Sequence, residues 1–223
     1  MDKKDFHIAL DFGHGIEEPG KKSPLYSTAK KHKEYFQNNS IAGKDRFYEW
    51  KWNRLLGNRV AQELKDFGYN VHIIVPEDNN ISLASRVSRI NKLCSKYGAG
   101  KVCVVSIHAN AAGNAKEWLN ARGWSAFTTR GQNNSDKFAN LFYKYAEMLL
   151  PQYGIKIRKD QSDGDPDWES NFYIIKNSNC PSVLVENLFY DNEDDLKWLI
   201  SEEGLRVLTD IHVMAIEDWV KER

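Results

Sequence analysis

The chain has 223 residues, 41% hydrophobic and 12% aromatic, enough to bury a sizeable core. Thirty-one basic side chains balance thirty-one acidic ones, so net charge offers no pull toward nucleic acid or an anionic membrane, and neither is expected as a partner. Three cysteines, Cys94, Cys103 and Cys180, are odd in number and lack CxxC spacing, which argues against a disulfide framework and a thiolate zinc site.

In chain order, the first apolar run follows MDKKDF and is too short for a signal sequence. No later segment approaches the ~20 apolar residues of a membrane span. The expectation is a protein made in the cytoplasm without a leader. Strand-like runs follow at HIALDF (7–12), NVHIIV (70–75), KVCVVSIHA (101–109), GWSAFTT (123–129), NFYIIK (171–176) and SVLVEN (182–187). Between them, residues 45–68 place Trp52, Leu55, Leu56, Val60 and Leu64 at near-helical spacing before Gly68. A second helix is expected from Ser82 to Gly98, a third from Ser135 to Pro151, and one or two more after Glu193. Alternation of this kind predicts an α/β fold: a single domain with a twisted, mixed but mostly parallel sheet of about six strands, flanked by helices on both faces.

Residues 16–45 fit neither period, and about thirty structureless residues in a compact domain mark a functional loop or a disordered excursion. Lys21, Lys22, Lys30, Lys31, Lys33 and Lys44 make this stretch basic. A solvated basic face explains them, and contact with an anionic polymer is the sharper alternative.

Chemistry in such sheets gathers at the carboxyl ends of the strands. Three suitable groups fall there: His14 between two glycines after the first strand, His108 ending another, and Glu186 ending the apolar run of Val183, Leu184 and Val185. Each alone is weak evidence, since a strand-end histidine is commonly a hydrogen-bonded structural residue. Together, two imidazoles and a carboxylate with room for water form the ligand set of a catalytic zinc site, which then needs a further carboxylate as general base. Glu17, Glu18, Glu34, Glu49 and Glu63 are the candidates. Glu49 opens the first long helix with Asn53 four residues on, although complementing the helix dipole would account for it equally well. His7, His32, His72 and His212 read as structural, and Asp11 as a group that could orient an imidazole through its free nitrogen. Trp50, Trp52, Trp198 and Trp219 read as core, whereas Trp168 and Asn171 lie in or beside a polar loop where substrate could be met.

These segments, in order, resemble the zinc-dependent N-acetylmuramoyl-L-alanine amidases, the peptidoglycan hydrolases of bacterial walls and phage endolysins. The resemblance rests on DFGHG (11–15), EWKWN (49–53), ISLASRVSRIN (81–91), SIHAN (106–110) and VLVENLFYDN (183–192), with Phe12 standing where the family usually has proline. It implies one Zn2+ ion held by His14, Glu49 and His108, with Glu186 as the catalytic carboxylate; Asn110, within SIHAN, joins Trp168 and Asn171 as substrate-binding candidates. Residues 1–223 would then be a catalytic amidase domain with a long basic insertion at 16–45 and no separate wall-binding domain. The partner would be peptidoglycan, a monomer is expected, and the protein would reach the wall after release or export. A zinc carboxypeptidase, a non-heme iron oxygenase and a non-catalytic wall-binding module are the competing readings.

Overall fold

The computed structural model describes residues 3–16 and 18–223; Glu17, one of the carboxylates weighed above, lies outside the described residues, as do Met1 and Asp2. Six strands form one sheet in the order β2-β1-β3-β6-β4-β5: β1 (His7–Phe12), β2 (Asn70–Ile73), β3 (Val102–Asn110), β4 (Ser125–Thr128), β5 (Trp168–Glu169) and β6 (Ser182–Phe189). β1, β2, β3 and β6 run parallel, while β4 runs antiparallel to β6 and parallel to β5, so the sheet is mixed and mostly parallel as expected.

Seven α-helices complete the described chain: α1 (Lys33–Gln37), α2 (Glu49–Asp66), α3 (Leu83–Tyr97), α4 (Asn134–Leu149), α5 (Tyr173–Asn177), α6 (Glu193–Leu199) and α7 (Glu202–Lys221). α2, α4 and α7 cover one face of the sheet; α3 and α5 cover the other. The period of two along β1 feeds both cores, with Ile8, Leu10 and Phe12 toward α2 and Ala9 toward α3. Trp52, Leu56, Val60 and Leu64 form the fully buried stripe of α2, each contributing about 1.5–3 kcal/mol by leaving water. Gly57 lies within that helix where a Cβ would stand 2.1 Å from the Phe12 ring, so the lack of a side chain lets α2 lie close on β1. Ser82 caps α3 by accepting from the Ser85 N–H, and Gly98 ends it with φ +92, a conformation open to glycine.

Two expectations need correction. NFYIIK is no strand: it enters the five-residue helix α5, whose Ile174 joins the apolar cluster of Val87, Ile90 and Val104. Six residues with two adjacent isoleucines suit either period, and burial against α3 decided the outcome. The sixth strand is instead the two-residue β5 at the sheet edge. Nor are residues 16–45 structureless. A 3-10 turn at Tyr26–Thr28 and helix α1 bury Tyr26 and Phe36, and Phe36 stacks on Trp118 at 5.5 Å. Glu193 anchors the stretch by accepting the backbone N–H groups of Lys30, Lys31 and His32, while Asp194 pairs with Lys31 and His32 at 2.9 Å each. Part of the loop's positive charge is thereby answered within the chain.

Candidate metal centre

Strand alternation places Asp11, Ser106 and His108 on the α3 side of the sheet, and register sets His108 beside Glu186 across the parallel β3–β6 pair. Just beyond, β6 carries one extra residue relative to β3, a bulge in which Leu188 adopts φ +64 and Asn187 donates to the His108 carbonyl at 2.9 Å. The bulge ends regular pairing where the strand tips open into the cleft.

His14 follows β1 with φ +62, a strained backbone for a residue other than glycine. Two guanidiniums hold it there: Arg86 donates to the His14 carbonyl at 3.1 Å, and Arg54 donates through both terminal nitrogens at 3.2 and 3.3 Å. Gly13 is required for a different reason. A Cβ at that position would sit 2.3 Å from the His108 ring, so only glycine lets the two histidine-bearing segments approach.

Glu49, the first residue of α2 and 1% exposed, completes the group. Its Oε1 lies 3.2 Å from His14 Nε2 and 3.1 Å from His108 Nδ1, and also accepts from Ala109 N–H at 3.3 Å and Asn53 Nδ2 at 3.4 Å. The i+4 relation of Asn53 to Glu49 therefore has a structural purpose. The ligand-capable atoms of His14, Glu49 and His108 all lie within 4.8 Å of one another. Two imidazole nitrogens and one carboxylate oxygen, converging beneath an open cleft, fit a zinc-type ion.

Electrostatics follow from burial and pairing. Burial would lower the His14 imidazole, yet its bonds to Glu18 and Glu49 outweigh that and raise it to about 9. Burial lowers His108. Burial would raise Glu49, but its two imidazole partners hold it below the usual carboxylate range. Glu186 is pushed the other way, up to about 8, first by burial and then by the nearby Glu49 charge. Its Oε2 is buried without a hydrogen-bond partner.

A cleft of about 340 Å³ opens over this group, with Glu18, Lys21, Arg86, Phe172, Tyr173 and Leu184 among its walls. His14, His108 and Glu186 all line it. Asn110, Trp168 and Asn171 are not among the lining residues. Asn110 ends β3 with its side chain accepting from Ala111 N–H; Trp168 opens β5, near Phe127 and under the Arg158 guanidinium; exposed Asn171 directly precedes Phe172 and Tyr173, which do face the cleft. The remaining histidines stay apart: His7 bonds His72 at 3.0 Å, His32 bonds Asp194, and buried His212 bonds the Leu208 carbonyl.

Asp11 touches neither imidazole, bonding instead to Arg86 at 3.0 Å and Ser106 Oγ at 2.7 Å. The carboxylate behind His14 is Glu18, 2.8 Å from Nδ1. Sequence reading weighed Glu18 but had no period in this loop by which to place it.

Residues 8–218 match the sequence model of a family described as N-acetylmuramoyl-L-alanine amidase. The chain belongs to that family. Among curated relatives, the endolysin of Bacillus phage SPP1 is 28% identical over 51% of this chain and 38% of its own length. The N-acetylmuramoyl-L-alanine amidase AmiC of Neisseria meningitidis is 28% identical over 89% of this chain and 49% of its own. The chain thus spans half or less of the curated relatives it matches. Among solved structures, the amidase Ami1 of Mycobacterium smegmatis superposes with a TM-score of 0.71 at 21% identity, covering 100% of both chains. An amidase from Clostridium difficile 630 gives 0.72 at 19%, covering 98% of each. At these identities the likeness establishes the shared fold. No helix among the described residues is long and apolar enough to cross a membrane.

Proposed function

We propose that this chain hydrolyses the amide bond between N-acetylmuramic acid and L-alanine in peptidoglycan, with one zinc ion held by His14, Glu49 and His108. The observation that carries the reading is Glu186, which lines the same cleft as the imidazoles of the three-residue cluster and whose Oε2 is buried without a partner. Bound there, zinc would polarise the scissile carbonyl and make a water molecule acidic enough to supply hydroxide near neutral pH. Glu186 takes the water's proton on its carboxylate and later passes it to the departing alanine nitrogen, one carboxyl serving as base and then acid. His14 keeps Nε2 toward the ion because its Nδ1–H is engaged by Glu18. Phe172 and Tyr173 give the cleft an apolar wall against which substrate can exclude water. The protein would act at the cell wall, with residues 1–223 as the catalytic domain.

The test is incubation of the zinc-loaded protein with purified peptidoglycan, reading new amino-terminal alanine against released carboxy-terminal amino acids. New amino-terminal alanine is expected; release of terminal amino acids alone would replace this reading by a carboxypeptidase. Binding of wall material without any cleavage would make it a wall-binding module.

Glu18→Gln should lower zinc affinity about 10- to 100-fold, because the amide no longer draws the Nδ1 proton as a carboxylate does. Competition with a chelator measures it directly, and an unchanged affinity would remove Glu18 from the positioning of His14.

A further inference from the structure

A second set of acidic side chains lies away from the cleft. Asp136 stands in the first turn of α4, and Asp165 and Asp167 in the loop leading to β5; they are 4%, 7% and 1% exposed. One oxygen from each lies within 4.8 Å of the other two. Carboxylates so close and so buried repel one another and lose hydration, unless a positive charge or a proton answers them. Among the described residues, no lysine, arginine or histidine forms an ion pair with any of the three.

Clustering alone would say little, but the hydrogen bonds do not balance. Thr128 Oγ1 sits 2.5 Å from Asp167 Oδ2 and 2.8 Å from Asp136 Oδ1, though a hydroxyl has one proton and can donate to only one of them. Asp136 Oδ2 accepts from Asn133 N–H, and Asp165 Oδ2 accepts from Gln132 Nε2 at 2.6 Å. Asp165 Oδ1 and Asp167 Oδ1 are buried and accept from no donor group among the described residues, and burial, with the Asp165 carboxyl beside it, pushes Asp167 up to about 7. Two carboxylate oxygens without a donor, on side chains more than nine-tenths buried, leave lone pairs that a bound cation would take up.

We infer that Asp136, Asp165 and Asp167, with the Thr128 hydroxyl beside them, form a binding site for a hard divalent cation of the calcium class, separate from the His14–Glu49–His108 group. The donors are all oxygens and include no imidazole or thiolate, which suits calcium better than zinc. The spacing agrees, because two ligands on opposite sides of one calcium ion are about 5 Å apart, twice a bond of about 2.3–2.6 Å. An ion there would tie the loop before β5 to the end of β4 and the start of α4. That same loop runs on into Phe172 and Tyr173 at the cleft wall, so the ion would steady one side of the cleft without touching the reaction.

The experiment uses the zinc-loaded protein. Calcium chloride at a hundredfold excess over its dissociation constant should raise the melting temperature by about 5–10 °C. Terbium should bind at the same place and luminesce through energy transfer from the adjacent Trp168. Asp165→Asn and Asp167→Asn, tested separately, should each abolish both responses while leaving the calcium-free melting temperature unchanged or higher, since each relieves the crowding. His14→Ala should keep the terbium signal. A wild-type protein that shows neither response overturns the inference and leaves a proton shared among the carboxyls as the explanation. A calcium response that survives in both Asn variants, or is lost in His14→Ala, overturns it equally by placing the ion elsewhere.

Discussion

Glu186→Gln is expected to retain zinc in full and to lose about 10²- to 10⁴-fold in peptidoglycan hydrolysis, the range of a positioned acid–base group. The amide matches the carboxyl in shape, so the cleft stays intact, but it cannot take a proton from water as a carboxylate does. Glu186 stands apart from the three groups that approach one another through Glu49 Oε1, which is why zinc stoichiometry should not change. Wild-type turnover in this variant would remove Glu186 from the mechanism, whereas loss of zinc would make it a ligand.

The same substitution has a second readout in chelator, where no ion screens the site. In the unfolded chain Glu186 ionises near its ordinary value of 4.5, whereas in the folded, metal-free protein burial and Glu49 hold the proton on until about pH 8. A group whose folded value is raised contributes stability that is fully present below the unfolded value and drains away as pH rises to the folded one. Glutamine never ionises and escapes that loss. The melting temperature of Glu186→Gln relative to wild type should therefore climb between about pH 5 and pH 8. A flat difference across that window would mean that Glu186 is not held protonated by the fold.

Arg86→Ala should cost about 3–5 kcal/mol, the usual penalty for breaking a buried ion pair from one side. Arg86 and Asp11 are almost completely buried, with side chains 2% and 1% exposed, and their contact is 3.0 Å. The guanidinium also donates to the carbonyls of Ile81, Phe12 and His14 at 2.8, 2.7 and 3.1 Å. Alanine would leave the buried Asp11 carboxyl with Ser106 as its remaining side-chain partner and would take a donor from each of these carbonyls, the His14 carbonyl keeping only Arg54, so removing the arginine is far worse than never having the pair. For a chain of this size the melting temperature should fall by roughly 6–20 °C. Because Arg86 helps hold the strained His14 backbone, zinc affinity should fall with it. Arg86→Lys, which keeps the charge but not the fork of donors, should recover part of the stability and less of the zinc affinity. A melting temperature within a degree of wild type would contradict this account of how the loop after β1 is held.

The sequence by itself placed the strands whose tips converge on the cleft and marked the residues proposed to act there. Apolar runs ending in His108 and Glu186, a glycine-flanked His14, and a helix opening with Glu49 and Asn53 are local patterns that remain legible without contacts. So are the ends of α3, where Ser82 and Gly98 supply the cap and the stop. What tertiary structure decided were matters of partnership and of short ambiguous segments. NFYIIK became α5 because Ile174 found a buried place beside α3, a choice its six residues could not express. The basic stretch at 16–45 took shape around Glu193 and Trp118, partners far away along the chain. Asp11 took Arg86 and Ser106, which left His14 to Glu18. Asp136 lies far along the chain from Asp165 and Asp167, and only folding draws the three together. The physical reason is common to all four: a side chain's period is written in its neighbours, but its charge partner and its burial depend on which distant segment packs against it.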